Sequence, residues 1–388
     1  MESLKFVLTQ GAARLREGTL VLGNVALPTP GLLLYTQAGS VPHLTVDNVL
    51  RLLEDRPHPL LVPLQGAYGM RKGSAATGTG ISRFCGFPAD GYPAVQVIQD
   101  PLVETLTGYN DRRGVAIFVD GGKVSLTPED VTETAGVFRP AAYQALTDGD
   151  TPRDCSNKRL SHSVKRSADY LDTCLRLRRE QTLPNQAGVC LLASIQGGYN
   201  EESRKISTAL TLERNSEYGD SIAGYIIDGF HMNGESAAEL RFADVADLVT
   251  TVLAALPEAK PRFMFGCLRP RTVIELARAG IDCFDSSYAC LQTEKNRASV
   301  YTYQDVKHAV EHPEYLQLDD TERYRSDMSV IEPNCRCYTC QEGFTRAYIN
   351  HLLVTRELLA YVLLQMHNIH HMLRFFDSLR EDLAKEIG

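Results

Sequence analysis

The sequence predicts an α/β protein in which a parallel sheet is covered by crossover helices, followed by a cysteine-bearing helical segment. Three observations carry this. Apolar strand-like runs alternate with helical stretches from Val189 to Ala289. The composition, 44% hydrophobic and 23% charged over 388 residues, is that of a globular chain with material for one large core or two ordinary ones. Beyond the last strand–helix unit, three cysteines fall within six residues, at Cys335, Cys337 and Cys340.

The first half is the less regular. Residues 24–45, NVALPTPGLLLYTQAGSVPHLT, read as short strands and turns. Gly73 to Gly80 reads as a flexible surface loop: it lacks the Gly-Lys-Ser/Thr ending of a phosphate-binding loop and precedes no clear helix. VAIFV and KVSLTPED, parted by Asp120-Gly121-Gly122, read as a hairpin. In the second half VCLLASIQGG is a buried strand closed by two glycines, and EESRKISTALTLER a helix with an acidic first turn. AGYIIDGF is a second strand, and GESAAELRFADVADLVTTVLAALP a long helix stopped by Pro257. PRFMFGC, the helix RPRTVIELARAG ending at Gly280, and the strand DCFDSSYA complete the series. Strands joined through helices require parallel pairing. Four such units fit an open doubly wound sheet and a closed (β/α)₈ barrel equally. Glu314 to Met328 is polar and reads as a surface excursion, and Phe344 to Leu379 as one long helix or two.

The net charge of −8 argues against a general nucleic-acid coat. It leaves room for a local basic patch, and Arg153 to Arg179 offers one: Arg153, Lys158, Arg159, Lys165, Arg166, Arg176, Arg178 and Arg179 against Asp154, Asp169 and Asp172. Such a run is more often a solvated helix face than a binding site, yet it is the chain's best phosphate-binding candidate. No stretch approaches the roughly 20 apolar residues that span a bilayer, and Tyr348 to Met366 is broken by Arg356 and Glu357. The N-terminal run MESLKFVLTQGAARLREG has no signal-peptide pattern, so the expected compartment is the cytoplasm. Seven cysteines (Cys85, Cys155, Cys174, Cys190, Cys267, Cys283, Cys290) are scattered singly and read as reduced thiols packing like small hydrophobes.

The other three are different. Asn334-Cys335-Arg336-Cys337-Tyr338-Thr339-Cys340 is C-x-C-x₂-C, and three thiolates so close repel one another unless a cation joins them. A fourth ligand is needed to close a tetrahedral zinc site. The helical stretch offers His351, His367, His370 and His371, among which the pattern alone does not choose. With four protein ligands such a site is structural.

The run from Asn334 to Phe375, NCRCYTCQEGFTRAYINHLLVTRELLAYVLLQMHNIHHMLRF, resembles the C-terminal zinc region of the tRNA-guanine transglycosylases. SIQGG (Ser194 to Gly198), YIIDGF (Tyr225 to Phe230) and RAGIDCFDSSYACLQT (Arg278 to Thr293) extend the resemblance, and PGLLLYTQAGSVPHLT is similar to the eukaryotic accessory branch. The resemblance implies a (β/α)₈ TIM barrel over residues 1–330 with irregular N-terminal strands, and a zinc-binding helical subdomain over 331–388. It implies one Zn²⁺ per subunit, held by Cys335, Cys337, Cys340 and the histidine of a helical His-Asn pair, here His367-Asn368.

The family exchanges a guanine in tRNA for a modified base through an aspartate that attacks the ribose. Asp285 matches that nucleophile, but the site around it departs from the family pattern. The Asp-Ser-Gly-Gly-aromatic-Gln loop, which supplies the general base, has no counterpart between Leu60 and Gln99; Gly66-Ala67-Tyr68-Gly69 is nearest and lacks the acid. The base-reading carboxylate falls on Thr147, with Asp148 beside it. A glycine pair that floors the base pocket is Asp228-Gly229, and Pro-Thr-Arg after the nucleophile is replaced within Tyr288-Ala289-Cys290-Leu291. Gln196 still matches a base-contacting glutamine.

The resemblance therefore implies a non-catalytic accessory subunit supporting exchange of guanine for queuine at the anticodon wobble position, with Asp285 inactive. It implies a heterodimer with the catalytic subunit, tRNA bound through the complex, and peripheral attachment to the mitochondrial outer membrane. The partner surface would be the zinc-region helix, whose Tyr348, Leu352, Leu358, Leu359, Val362, Leu363, Met366, Ile369, Leu373 and Phe376 exceed one apolar stripe. Two alternatives stay open: an active transglycosylase using Asp285, and a zinc-stabilised barrel scaffold without a tRNA role.

Overall fold

The computed structural model describes residues 3–11, 14–88, 90–180, 187–310 and 312–387. Three strands, β1 (Leu4–Gln10), β2 (Glu17–Leu22) and β3 (Val25–Thr29), form an antiparallel sheet at the start of the chain. A barrel begins with β4 (Gly31–Tyr35), β5 (Leu60–Pro63) and β6 (Ala94–Val97). The hairpin of β7 (Val115–Val119) and β8 (Gly122–Leu126) then intervenes, as its Asp120-Gly121 turn predicted. The barrel resumes with β9 (Ala142–Gln144), β10 (Cys190–Ile195), β11 (Ile222–Ile227), β12 (Arg262–Phe263) and β13 (Cys283–Asp285). All its pairs are parallel, and β13 closes onto β4 through Cys283↔Gly31 and Asp285↔Leu33. The choice between open sheet and closed barrel falls to the barrel.

Strand alternation divides the core in two. Leu33, Leu61, Val95, Leu192, Ile226 and Phe263 share one buried cluster inside the barrel. Their neighbours Leu34, Leu60, Leu191, Ala193 and Ile227 belong to the larger cluster under the helices. Burial on both faces explains why these strands read as continuous apolar runs. Leu4, Leu20, Leu22 and Leu27 of the N-terminal sheet join the inner cluster and plug one end. There the buried Arg16 Nε donates to Asp282 Oδ1 at 2.9 Å.

The covering helices include α1 (Asn157–Arg179), α2 (Glu201–Glu217), α3 (Ala246–Ala255), α4 (Pro270–Ala279) and α5 (Ser287–Glu294). Side chains of Ser156 and Asn200 cap α1 and α2, and Gly280, at φ 112°, ends α4. Two expectations are corrected. The long helix expected from Gly234 is two 3₁₀ turns before α3, which starts only at Ala246. The loop expected at Gly73–Gly80 is mostly helix, Arg71–Thr77, ended by Gly78 at φ 64°. Gly73 sits where a Cβ would lie 2.8 Å from Phe84, so close packing, not flexibility, calls for that glycine.

The C-terminal region comprises β14 (Arg297–Ser299) paired with β15 (Tyr315–Gln317), then α6 (Tyr338–Gln341), α7 (Arg346–Val354) and α8 (Leu358–Ile387). The stretch read as a polar excursion instead buries Leu316, Leu318 and Tyr324 in a satellite core with Cys337, Cys340, Ile349 and Leu363. Helix α8 bridges the two cores: Met366, Ile369, Met372, Phe376 and Leu379 join the barrel's cluster, while Ala360, Leu363 and Leu364 join the satellite. This double duty is why its apolar residues exceed one stripe. Among the described residues no helix is long and apolar enough to cross a membrane.

Candidate metal centre and barrel-mouth site

The short helix α6 turns Cys337 and Cys340 inward, and α8 brings His367 against them from the barrel side. Atoms of Cys335, Cys337, Cys340 and His367 all lie within 4.8 Å of one another. His367 Nδ1 stands 3.8, 3.5 and 3.6 Å from the sulfurs of Cys335, Cys337 and Cys340. Nitrogen and sulfur ligands at tetrahedral zinc bond lengths are about 3.6 Å apart, so these three edges fit one small ion. The remaining details fit as well. His367 Nε2 donates to the Ser299 carbonyl at 2.8 Å, which leaves Nδ1 as the lone-pair nitrogen facing the sulfurs. Backbone N–H groups of Cys337 and Cys340 donate to the sulfurs of Cys335 and Cys337, both at 3.4 Å, as thiolates require. The group can hold a metal ion.

Asn368 extends the clamp. Its Oδ1 accepts from Ser299 N at 2.8 Å, and its Nδ2 donates to Arg297 O and Thr293 Oγ1, both at 2.9 Å. The His-Asn pair thus stitches α8 to β14 and α5. His371 takes no part: it packs edge-on to Tyr301, ring centroids 4.4 Å apart.

At the carboxyl end of the barrel, Asp285 is buried at the tip of β13. Its carboxylate accepts from Gly266 N and Ser287 N, both at 2.7 Å, and burial pushes its pKa up to about 6. A second acid lies close by that sequence reading missed. Asp100, three residues past β6 and next to Gln99, is also buried, and its charge adds to the upward push on Asp285. Its Oδ1 accepts from the Tyr35 hydroxyl at 2.7 Å and from Leu102 N at 2.9 Å. The signal was present as VIQDP, an acid at a strand end. The absence of the following Ser-Gly-Gly masked it.

The rest of the mouth is occupied by the chain's own side chains. Gln196 Nε2 donates to Thr147 Oγ1 and to Asp228 Oδ2, both at 2.9 Å. Gly229, at φ 78°, lies where a Cβ would come within 2.5 Å of Gln196 Oε1. Around them a cavity of about 50 Å³, lined by Gln144, Thr147, Asp150, Asp228 and His231 among others, has room for a few waters. Asp148 points elsewhere. It is buried and gathers Arg159, Arg166 and Asn110 Nδ2, anchoring α1. The basic run is therefore largely committed to structure: Arg153 pairs with Asp244, Arg176 with Glu180, and Arg178 donates to Val189 O. Lys158 and Lys165 remain exposed on α1.

A model of the queuine tRNA-ribosyltransferase family matches residues 11–386. The chain belongs to that family. It is 40% identical over 385 residues to a protein of Ixodes scapularis named queuine tRNA-ribosyltransferase accessory subunit 2, covering 96% of this chain and 94% of the relative. Proteins of the same name from Anopheles gambiae and Drosophila erecta are 33% and 35% identical, covering 94% and 98% of this chain and 82% and 88% of theirs.

Proposed function

We propose that this chain is a zinc-bound, non-catalytic accessory subunit of a tRNA base-exchange complex, pairing with a catalytic member of its own family. The observation that carries the reading is the clasp of Gln196 by Asp228 and Thr147. A glutamine that would contact a nucleobase has its amide N–H groups taken, and a carboxylate stands where the family has glycine. The printed names of the relatives support the same reading.

Zinc would be held by Cys335, Cys337, Cys340 and His367, one ion per chain, and would supply folding energy without chemistry because no position stays open. The subdomain expected from residue 331 is proposed to include β14 and β15, whose side chains share its core. The partner surface is proposed at the corner of α7 and α8, where Tyr348, Val354, Leu358 and Leu359 are exposed. Transfer RNA would be held through the complex.

One observation favours the alternative of an active enzyme, since Asp100 and Asp285 are both present at strand ends. Incorporation of labelled guanine into tRNA decides between the two. The proposal expects none with the purified chain alone, and incorporation when the catalytic subunit is added. Incorporation by the chain alone, lost in Asp285→Ala, would establish the enzyme reading. No association with a catalytic subunit and no effect on its tRNA binding would leave only the scaffold.

A further inference from the structure

Residues 101–110 leave β6 and cross the carboxyl end of the barrel as irregular chain. Loops that follow three other barrel strands hold them there. From the loop after β11, Gly234 N donates to Pro101 O at 3.0 Å and Asn233 Nδ2 to Thr105 Oγ1 at 3.0 Å, while Thr105 N donates to Met232 O at 2.7 Å. From the loop after β9, Asp150 Oδ2 accepts from Gly108 N at 2.6 Å and Asp148 Oδ1 from Asn110 Nδ2 at 2.8 Å. From the loop after β12, Cys267 Sγ donates to Pro101 O at 3.4 Å. The first turn of this segment adjoins both acids: Leu102 N donates to Asp100 Oδ1 at 2.9 Å, and Cys267, hydrogen-bonded to Pro101 O, follows Gly266, whose N donates to Asp285 Oδ2 at 2.7 Å; both carboxylates are buried.

Two features distinguish it from a fixed wall. Beyond the buried Pro101 and Leu102, which packs against both cores, its apolar residues gain little burial: Val103, Leu106 and Tyr109 are 40%, 51% and 49% exposed, with Tyr109 edge-on to Phe118 at 5.1 Å. From Val103 onward the closed position is thus held mostly by hydrogen bonds, while Leu102 anchors the first turn in both cores. Segments with few buried apolar contacts open at a small fraction of the global unfolding free energy. Its closest approach also depends on one glycine, because a Cβ at Gly234, φ 60°, would lie 2.9 Å from Glu104 N.

We propose that residues 103–110, anchored at Leu102, are a removable strap that closes the barrel mouth beside the retained Asp100–Asp285 pair. This rests on the accessory-subunit reading and adds a cause to it: closure, besides the lost base pocket, keeps those carboxylates from any substrate. An event that lifts the strap gives solvent and small molecules access to both.

Carboxyl labelling of the full-length, metal-replete chain tests this, using a water-soluble carbodiimide with glycinamide and peptide mass spectrometry. Asp285 should be modified at least ten-fold more slowly than the exposed Asp120 in wild type, and at least ten-fold faster than wild type in Asn233→Ala or Gly234→Ala. Modification of wild-type Asp285 at the rate of Asp120 would overturn the closure. So would continued protection in both variants, each checked for unchanged circular dichroism. Should neither variant fold, hydrogen exchange on the wild type decides: the amides of Thr105 and Gly108 should exchange well before those of β10. Exchange only with β10 would make the strap a fixed part of the fold. Base-exchange activity in wild type would refute the accessory reading and leave the labelling result standing, so the two failures are distinguishable.

Discussion

Gln196 directs its side-chain amide at the Asp228 carboxylate, with Nε2 and Oδ2 2.9 Å apart, and so closes the barrel mouth from within. The bond consumes a donor that could otherwise meet a nucleobase, and it places a negative charge beside it. Asp228→Gly should release the amide while Thr147 still orients it. The expected outcome is that saturating guanine raises the melting temperature of the variant by a few degrees and leaves wild type unchanged. An identical response in both proteins would mean that Asp228 does not control entry.

Metal and fold should be lost together. Cys337→Ser removes one thiolate from the cluster and should leave α7 and the first turns of α8 undocked, with less than about one zinc per chain by elemental analysis. His367→Ala should behave alike, and it also frees Ser299 O. His371→Ala should keep its metal, because that ring faces Tyr301. Retention of full zinc content in both of the first two variants would dismiss the ligand set.

Asp285 gives a pH signature of determinable sign. Its folded pKa, about 6, lies above the 3.8 of a free aspartate, so the folded chain binds this proton more tightly than the unfolded chain does. The associated stability is present below about pH 4 and disappears as pH rises through about 6, by up to about 3 kcal/mol. Denaturation of wild type and Asp285→Asn should therefore show the variant gaining relative stability between those limits. A constant difference from pH 4 to 7 would contradict it.

Arg16→Ala should be among the costlier substitutions in the N-terminal sheet. Arg16 and Asp282 are both fully buried, and removing the guanidinium takes away the carboxylate's ion-pair partner, leaving it the Arg262 N–H at 2.8 Å. Breaking a buried pair from one side costs about 3–5 kcal/mol. Chemical denaturation of this variant beside Arg16→Ala/Asp282→Ala measures it, and the double variant should recover part of the loss.

The partner surface predicts a contrast along α8. Leu358 is 79% exposed whereas Met366 is buried in the barrel's core, which corrects the expectation that Met366 faces a partner. Leu358→Glu should leave the fold intact and abolish co-purification with a catalytic subunit; Met366→Glu should unfold the chain. Undiminished co-purification of Leu358→Glu and Leu359→Glu would move the interface elsewhere.

Much of this protein is legible in its sequence. The strand–helix alternation gave the class, because period and burial are written in consecutive residues. The three cysteines announced a cation, since thiolates at such spacing require one. Family resemblance then supplied the barrel and His367, which the pattern had left among four histidines.

What escaped sequence reading depends on residues far apart in the chain. Asp100 and Asp285 are neighbours only because β6 and β13 end at the same rim of one barrel. The basic run of α1 looked free because its partners, Asp148 and Asp244 among them, arrive by folding. Helix α8 looked like an interface because its sequence cannot say that two separate cores claim its faces. The sequence by itself determined the strand–helix alternation of the second half and the three cysteines that call for a cation, for these follow from local periodicity and ligand chemistry. Only the tertiary structure decided which charges are paired and which apolar residues stay exposed. Those outcomes are set by packing between elements, and no local pattern encodes it.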